Sequence, residues 1–199
     1  MAYLLALVSA ALYGAGDFLG GLSSRRASTL AVVVVVQGAG LPLLALLLFL
    51  LPGVPSQRDL LWGAGAGLAG SAGLALLYRG LAVGTMAVVA PITAVCAVVI
   101  PVAVSLVQGE RPSVVTLVGI GLALVSVALV GQERTRDVPT GSVSVRTLTP
   151  GIGLALLSGV AIGVFFLLLA RTNPAAGLWP LVGARCASLV CFAALARGR

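Results

Sequence analysis

An all-α bundle of membrane-crossing helices is what this chain of 199 residues predicts, and three observations carry that expectation. Hydrophobic residues make up 60% of the chain, charged residues only 9%, and the mean hydropathy is +1.17. A soluble domain of this size has no interior large enough to hide so much apolar surface. The apolar residues also fall into stretches of about 20, the length that crosses a hydrocarbon core of about 30 Å. Seven such stretches lie at about 3–22, 30–51, 60–83, 84–107, 113–131, 150–170 and 177–196.

The first span has the length of a membrane helix, no basic segment before it, and Asp17 where a signal-peptide cleavage site would fall, so it reads as a retained helix. The second carries Gln37 and Pro42 in an otherwise aliphatic run. Small residues from Gly63 to Gly73 open the third, with G-x-x-x-G spacing at Gly63 and Gly67 that favours close helix packing. Pro91 and Pro101 mark the fourth span as the candidate bending element, because an interior proline frees a carbonyl and crowds the preceding turn. A turn at Gly109-Glu110 with Pro112 prepares the fifth, and Glu110 is expected to act as a structural cap at its N-terminal dipole. The sixth span is aliphatic and the seventh contains Pro180 and Arg185.

Charges at membrane depth are the most informative local feature, since each costs several kcal/mol unless it is paired or faces water, about 3 on insertion scales. Asp17, Arg79 and Arg185 are placed in this way. Ser9, Tyr13 and Asp17 recur every four residues and form one polar stripe on the first helix. Asp17 and Arg79 both fall about 6 to 8 Å before the ends of odd-numbered spans, so an intramembrane ion pair between them is expected. Arg185 lies near the midplane, too deep to snorkel, and needs a partner or an aqueous cavity.

Much chemistry is excluded by what the chain lacks. The twelve basic residues are all arginine and there is no histidine, so there is no P-loop lysine, no Schiff base, no imidazole base and no ordinary zinc site. No G-x-S-x-G occurs. Cys96, Cys186 and Cys191 fall in apolar spans without a C-x-x-C pattern and read as small buried residues. An enzyme, a metal site and a cofactor are therefore not expected. The net charge of +7 is spread over the loops without aromatic clustering, which argues against nucleic acid as a partner and for orientation signals and lipid contacts. The arginine-rich side carries the loops after spans 1, 3, 5 and 7, and the positive-inside rule makes it cytoplasmic, with the N-terminus outside.

Three segments organise the chain: residues 1–131 with five spans, a polar loop at 132–149, and residues 150–199 with two more. Leu5-Ala6-Leu7, Ser9 and Gly14 recur as Leu154-Ala155-Leu156, Ser158 and Gly163 at a constant offset of 149. A repeat with an odd number of spans forces its second copy to enter the membrane from the opposite side, the arrangement that produces alternating access around a midplane site. Under the same offset Arg185 falls beside Gln37, so the two are expected at symmetric positions.

Residues 78 to 131, from YRGLAVGTMAVVAPITAVCAVVIP to the Gly-rich fifth helix, resemble the third to fifth helices of the EamA family in the drug/metabolite transporter superfamily. YGAGDFLGG at 13 to 21 is similar to the family's first helix, with Tyr13 in place of the more usual tryptophan, and Arg185 resembles an arginine often found in the second helix of each family repeat. The resemblance implies an inner-membrane permease or exporter of small metabolites, amino acids or related compounds among them, with the bilayer and a small-molecule substrate as partners.

The family pattern has ten helices, whereas this chain ends with Arg197-Gly198-Arg199 after the seventh. An alternative expectation is therefore a truncated, non-transporting membrane component that needs a partner or further helices. Substrate-pathway candidates are Tyr13, Asp17, Gln37, Arg79 and Arg185, and proton coupling, if the chain uses it, should depend on Asp17. The small-residue face of the third span is also compatible with a homodimer, although packing within the chain is the favoured reading.

Overall fold

Residues 2–136 and 145–197 are described by a computed structural model, and among them every regular element is helical. The helices are α1 (Ala2–Ser23), α2 (Thr29–Leu50), α3 (Gln57–Val83), α4 (Met86–Val107), α5 (Val114–Arg136), α6 (Val145–Leu169) and α7 (Trp179–Arg197), with a 3-10 turn at Pro174–Ala176 before the last. Five of them, α1 to α4 and α6, are long and apolar enough to cross a bilayer. Within the described residues the apolar parts of α5 and α7 are shorter, Val114–Val127 and Trp179–Ala194. Helices are the expected solution in lipid because each satisfies its backbone polar groups internally. The architecture is a helical membrane bundle.

Two boundaries differ from the sequence reading. Helix α5 continues to Arg136 and α6 already starts at Val145, so both ends of the polar stretch at 132–149 are helical. Gln132, Glu133 and the arginines that follow are good helix formers, and a helix leaving the membrane need not stop at its surface. The centre of that stretch lies outside the described residues. At the start of α5, Ser113 Oγ accepts the Thr116 N–H at 3.2 Å, while the Glu110 carboxylate accepts from the Ser105 hydroxyl in the last turn of α4. Ser113 sits directly before α5 and Glu110 three residues earlier, so the expected cap is supplied by Ser113, and Glu110 closes α4 instead.

Helix α3 is the centre of the bundle because its small residues let neighbours approach to backbone contact. Gly63 and Gly67 face the backbone of α7 at Pro180 and Ala184, with no room for a Cβ at either position. Gly70 and Gly73 face Phe165 and Ile162 of α6, where an added Cβ would lie 2.8 and 2.7 Å from side-chain carbons. The G-x-x-x-G face is thus used within the chain. Hydroxyls close the same contacts: Ser158 donates to the Gly73 carbonyl at 2.7 Å, Ser188 to the Gly67 carbonyl at 2.9 Å, and Thr93 of α4 to the Ala155 carbonyl at 3.1 Å. All three hydroxyl-bearing residues are buried, where a side-chain to backbone bond ties one helix to the next without stranding a polar group.

These contacts also fix helix directions. The C-terminal end of α1 meets the C-terminal end of α3, through Gly20 against Tyr78 and Gly21 against Leu81, so α1 and α3 run parallel. Helix α6 runs the other way, since its start at Gly151 touches Gly84 after α3, and Asn173 beyond its end meets Asp59 at the α3 start. Pro180 and Ala184 of α7 climb α3 in the same order as Gly63 and Gly67, so α7 is parallel to α3 and opposed to α2, which joins α3 by a short hairpin loop. The pairs α1/α6 and α2/α7 are therefore each inverted with respect to one another.

At one end of the bundle two loops are clasped together. Asp59 accepts the Ser56 N–H and hydroxyl at 3.0 and 2.7 Å on one carboxylate oxygen, forming a capping box with Ser56, and its other oxygen accepts the Asn173 N–H at 2.8 Å. Val54 N–H donates to the Ala175 carbonyl at 3.0 Å, and Gly53 lies against the backbone of Ala176. The ends of α2 and α6 and the starts of α3 and α7 are held in one knot.

Candidate functional site

Arg185 enters the site from the second turn of α7, next to Ala184, which is locked on Gly67 of α3. Gly67 is ten residues past Gln57, so this level lies about 15 Å into the bundle at 1.5 Å per residue. The guanidinium reaches across to α2, where its Nη1 donates to Gln37 Oε1. Gln37 is 8% exposed and Arg185 is half-buried. Room for the guanidinium comes from Gly40, one turn beyond Gln37: a Cβ there would lie 2.9 Å from Arg185 Nη2. Gln37 and Arg185, expected at symmetric positions, are joined by a direct bond between α2 and α7.

The rest of the expected set divides in two. Tyr13 is largely open, at 74% exposure. Asp17, one turn further along α1, is half-buried. Arg79 is exposed, and no carboxylate approaches it or Arg185 within 4.0 Å among the described residues. The expected Asp17–Arg79 pair is therefore not formed. Tyr78 explains why: its ring is the side chain that α3 points at Gly20 of α1, and the next residue is turned about 100° round the helix, away from α1.

Tyr78 itself was not among the expected residues, although it is 2% exposed and belongs to the main apolar cluster with Val33, Leu81 and Val89. A tyrosine inside an apolar span beside an arginine was the available signal. Gly40 left no signal, since nothing in the sequence distinguishes it from Gly38. Pro91 and Pro101 both lie inside α4, which remains helical across its 22 residues. The three cysteines are free thiols, with Cys96 packed at the Gly159 contact between α4 and α6.

Chemically, the arrangement offers one cationic fork held by a neutral amide at membrane depth, with an acid and two phenols nearby on α1 and α3. The sequence model described as the EamA-like transporter family matches residues 1–132. The chain belongs to the EamA-like transporter family. Membership makes it a membrane transporter of the drug/metabolite transporter superfamily, which is not an enzyme family, and places it in a membrane as a multi-pass protein. No curated protein and no solved structure matches the chain of this EamA-like transporter.

Proposed function

We propose that this EamA-like protein is a secondary transporter, a permease or exporter of small metabolites such as amino acids or related compounds, working by alternating access in a bacterial inner membrane. The observation that carries the reading is the meeting of Gln37 and Arg185. Two polar side chains, from α2 and α7, meet at the level of Gly67, about 15 Å along α3 from its first residue, and inverted-repeat transporters build their sites near the bilayer midplane. Tyr13 and Asp17 on the polar stripe of α1 extend the pathway toward the face at which α1 ends, with Asp17 the residue on which any proton coupling depends. With neither a P-loop nor a lysine in the chain, uphill movement draws on a gradient or on a separate motor.

The test is an efflux measurement. Cells expressing the chain, and cells expressing it with any downstream coding sequence, are compared with empty-vector cells for export of the metabolite pool and for resistance to toxic amino-acid analogues. Export or resistance above the vector level is the expected result, and its absence from both forms would overturn the reading.

One observation favours a partner-dependent form. Ala155, Ser158 and Gly163 of α6 are buried against α3 and α4, whereas their counterparts Ala6, Ser9 and Gly14 on α1 are exposed, with open space at Gly14. The faces of α3 and α4 that would cover them are already occupied by α6. Export only from the longer form would select this second reading.

A further inference from the structure

We propose that the Arg185 guanidinium, braced on Gln37 over the bare backbone of Gly40, recognises the carboxylate of a singly charged small-molecule anion. This rests on the transporter reading above and names the class of compound that its site accepts.

Three observations lead to it. First, the charge has no counter-ion: among the described residues no carboxylate lies within 4.0 Å of Arg185, and its side-chain partner, Gln37, is neutral. Asp17, the acid at membrane depth on α1, makes no such contact. A guanidinium at this depth costs several kcal/mol unless something anionic or aqueous meets it.

Second, the fork is only partly used. A guanidinium has five N–H donors, and Gln37 Oε1 accepts from Nη1. The remaining donors suit a planar carboxylate in a bidentate pair, the geometry arginine provides better than lysine.

Third, the group is held in place while remaining reachable. Gly40 leaves a recess into which Nη2 fits, Gln37 is buried behind it, and Arg185 is only half-buried. A pair of one guanidinium with one carboxylate is neutral, whereas a dianionic phosphate on the same single cation would carry net charge into the membrane interior. That balance selects a monocarboxylate over a phosphate ester.

The test uses the wild-type protein in lipid nanodiscs and phenylglyoxal, which modifies accessible guanidinium groups, with labelling of each arginine read by peptide mass spectrometry. Three additions are compared: a pool of straight-chain monocarboxylates, the matching pool of amides, and inorganic phosphate. The expected result is slower labelling of Arg185 with the carboxylate pool alone, about tenfold where a component stands at ten times its Kd. Labelling of the exposed Arg58 and Arg171 should not change.

Equal slowing by the amides, slowing by phosphate instead, no slowing by any addition, or an Arg185 that does not react while Arg171 does would each overturn the proposal. Its failure is separable from that of the transporter reading. Protection of Arg185 without any metabolite flux would leave the recognition standing and remove the transport. Flux of carboxylates unchanged in R185Q, in a variant of normal thermal stability, would do the reverse.

Discussion

Ser158 of α6 donates its hydroxyl to the carbonyl of Gly73 of α3 at 2.7 Å, and this bond ties the two helices backbone to side chain. It requires two helix backbones to be close enough for the shortest polar side chain to bridge them. Gly73 and Gly70 on α3 permit it, and Gly159 and Gly163 do the same on the flank of α6 that meets Cys96 and Ile100 of α4. The energetic weight of the bundle therefore sits on absent side chains.

Adding one methyl group where α3 meets α7 should unfold more than it fills. Gly67→Ala places a Cβ against the Ala184 backbone, which cannot turn aside as a flexible side chain would. The expected cost is about 1–3 kcal/mol from overpacking. Gly121→Ala, where the space is open, should be neutral or stabilising by roughly 0.5–1 kcal/mol through helix propensity. Thermal unfolding of the two variants in detergent, followed by size-exclusion fluorescence, measures the contrast, and equal melting temperatures would refute it.

Gly40→Ala should separate position from stability. The added Cβ meets the far end of the Arg185 side chain, which can swing away, so the melting temperature should change little while the guanidinium leaves its recess. Substrate movement should fall by at least the factor of about ten that corresponds to 1.4 kcal/mol of lost contact. A variant that transports normally would show that the recess has no role.

Gln37→Leu should be costly in a different way, because it strips the buried acceptor from a guanidinium that cannot find another nearby. A loss of about 1–3 kcal/mol is expected for a stranded charged donor. Gln37→Glu should restore stability by neutralising Arg185, yet abolish carboxylate protection of that arginine from phenylglyoxal. Protection retained in Gln37→Glu would contradict the expectation.

Asp17 and Arg79 should behave as independent sites. With no ion pair between them, the stability effects of Asp17→Asn and Arg79→Gln should add to within about 0.3–0.5 kcal/mol in the double variant. The charge-swapped pair, Asp17→Arg with Arg79→Asp, should not be rescued relative to its singles. A coupling above 1 kcal/mol by unfolding would reinstate the pair.

Asp59→Ala should loosen the clasped loops. It removes the capping box of α3 and the acceptor of the Asn173 N–H, and caps alone are worth about 1 kcal/mol. Hydrogen exchange at Asn173 and Ala175 should rise together with the lower melting temperature, and exchange unchanged at those two amides would argue against the tie.

The periodic features of the chain were legible and the lateral ones were not. Span length and apolar content announced the helices, since the bilayer imposes both, and the small residues of α3 announced close packing. The offset between Ser9 and Ser158 pointed to equivalent helices, but not that Ser158 would be buried and Ser9 open, because burial depends on which neighbour arrives. Depth along a helix could be counted for Asp17 and Arg79, while azimuth could not be fixed without knowing that Tyr78 takes the face toward α1. Gln37 and Arg185 were found as polar residues in apolar runs, and their bond required the directions of α2 and α7. Gly40 acts only through the atom it lacks, so it could be recognised only once Arg185 had been placed over it.

The clasp between the loop of Asp59 and that of Asn173 has a bearing on access. Four helix ends are sewn into one piece at the face from which Arg185 is nearest, and α2 and α7 cannot part there without breaking the bonds to Asp59 and Ala175. The same clasp frames a pocket lined by Ser56, Arg58, Arg171 and Thr172, so the four ends are tied together around an open recess rather than fused into a plug.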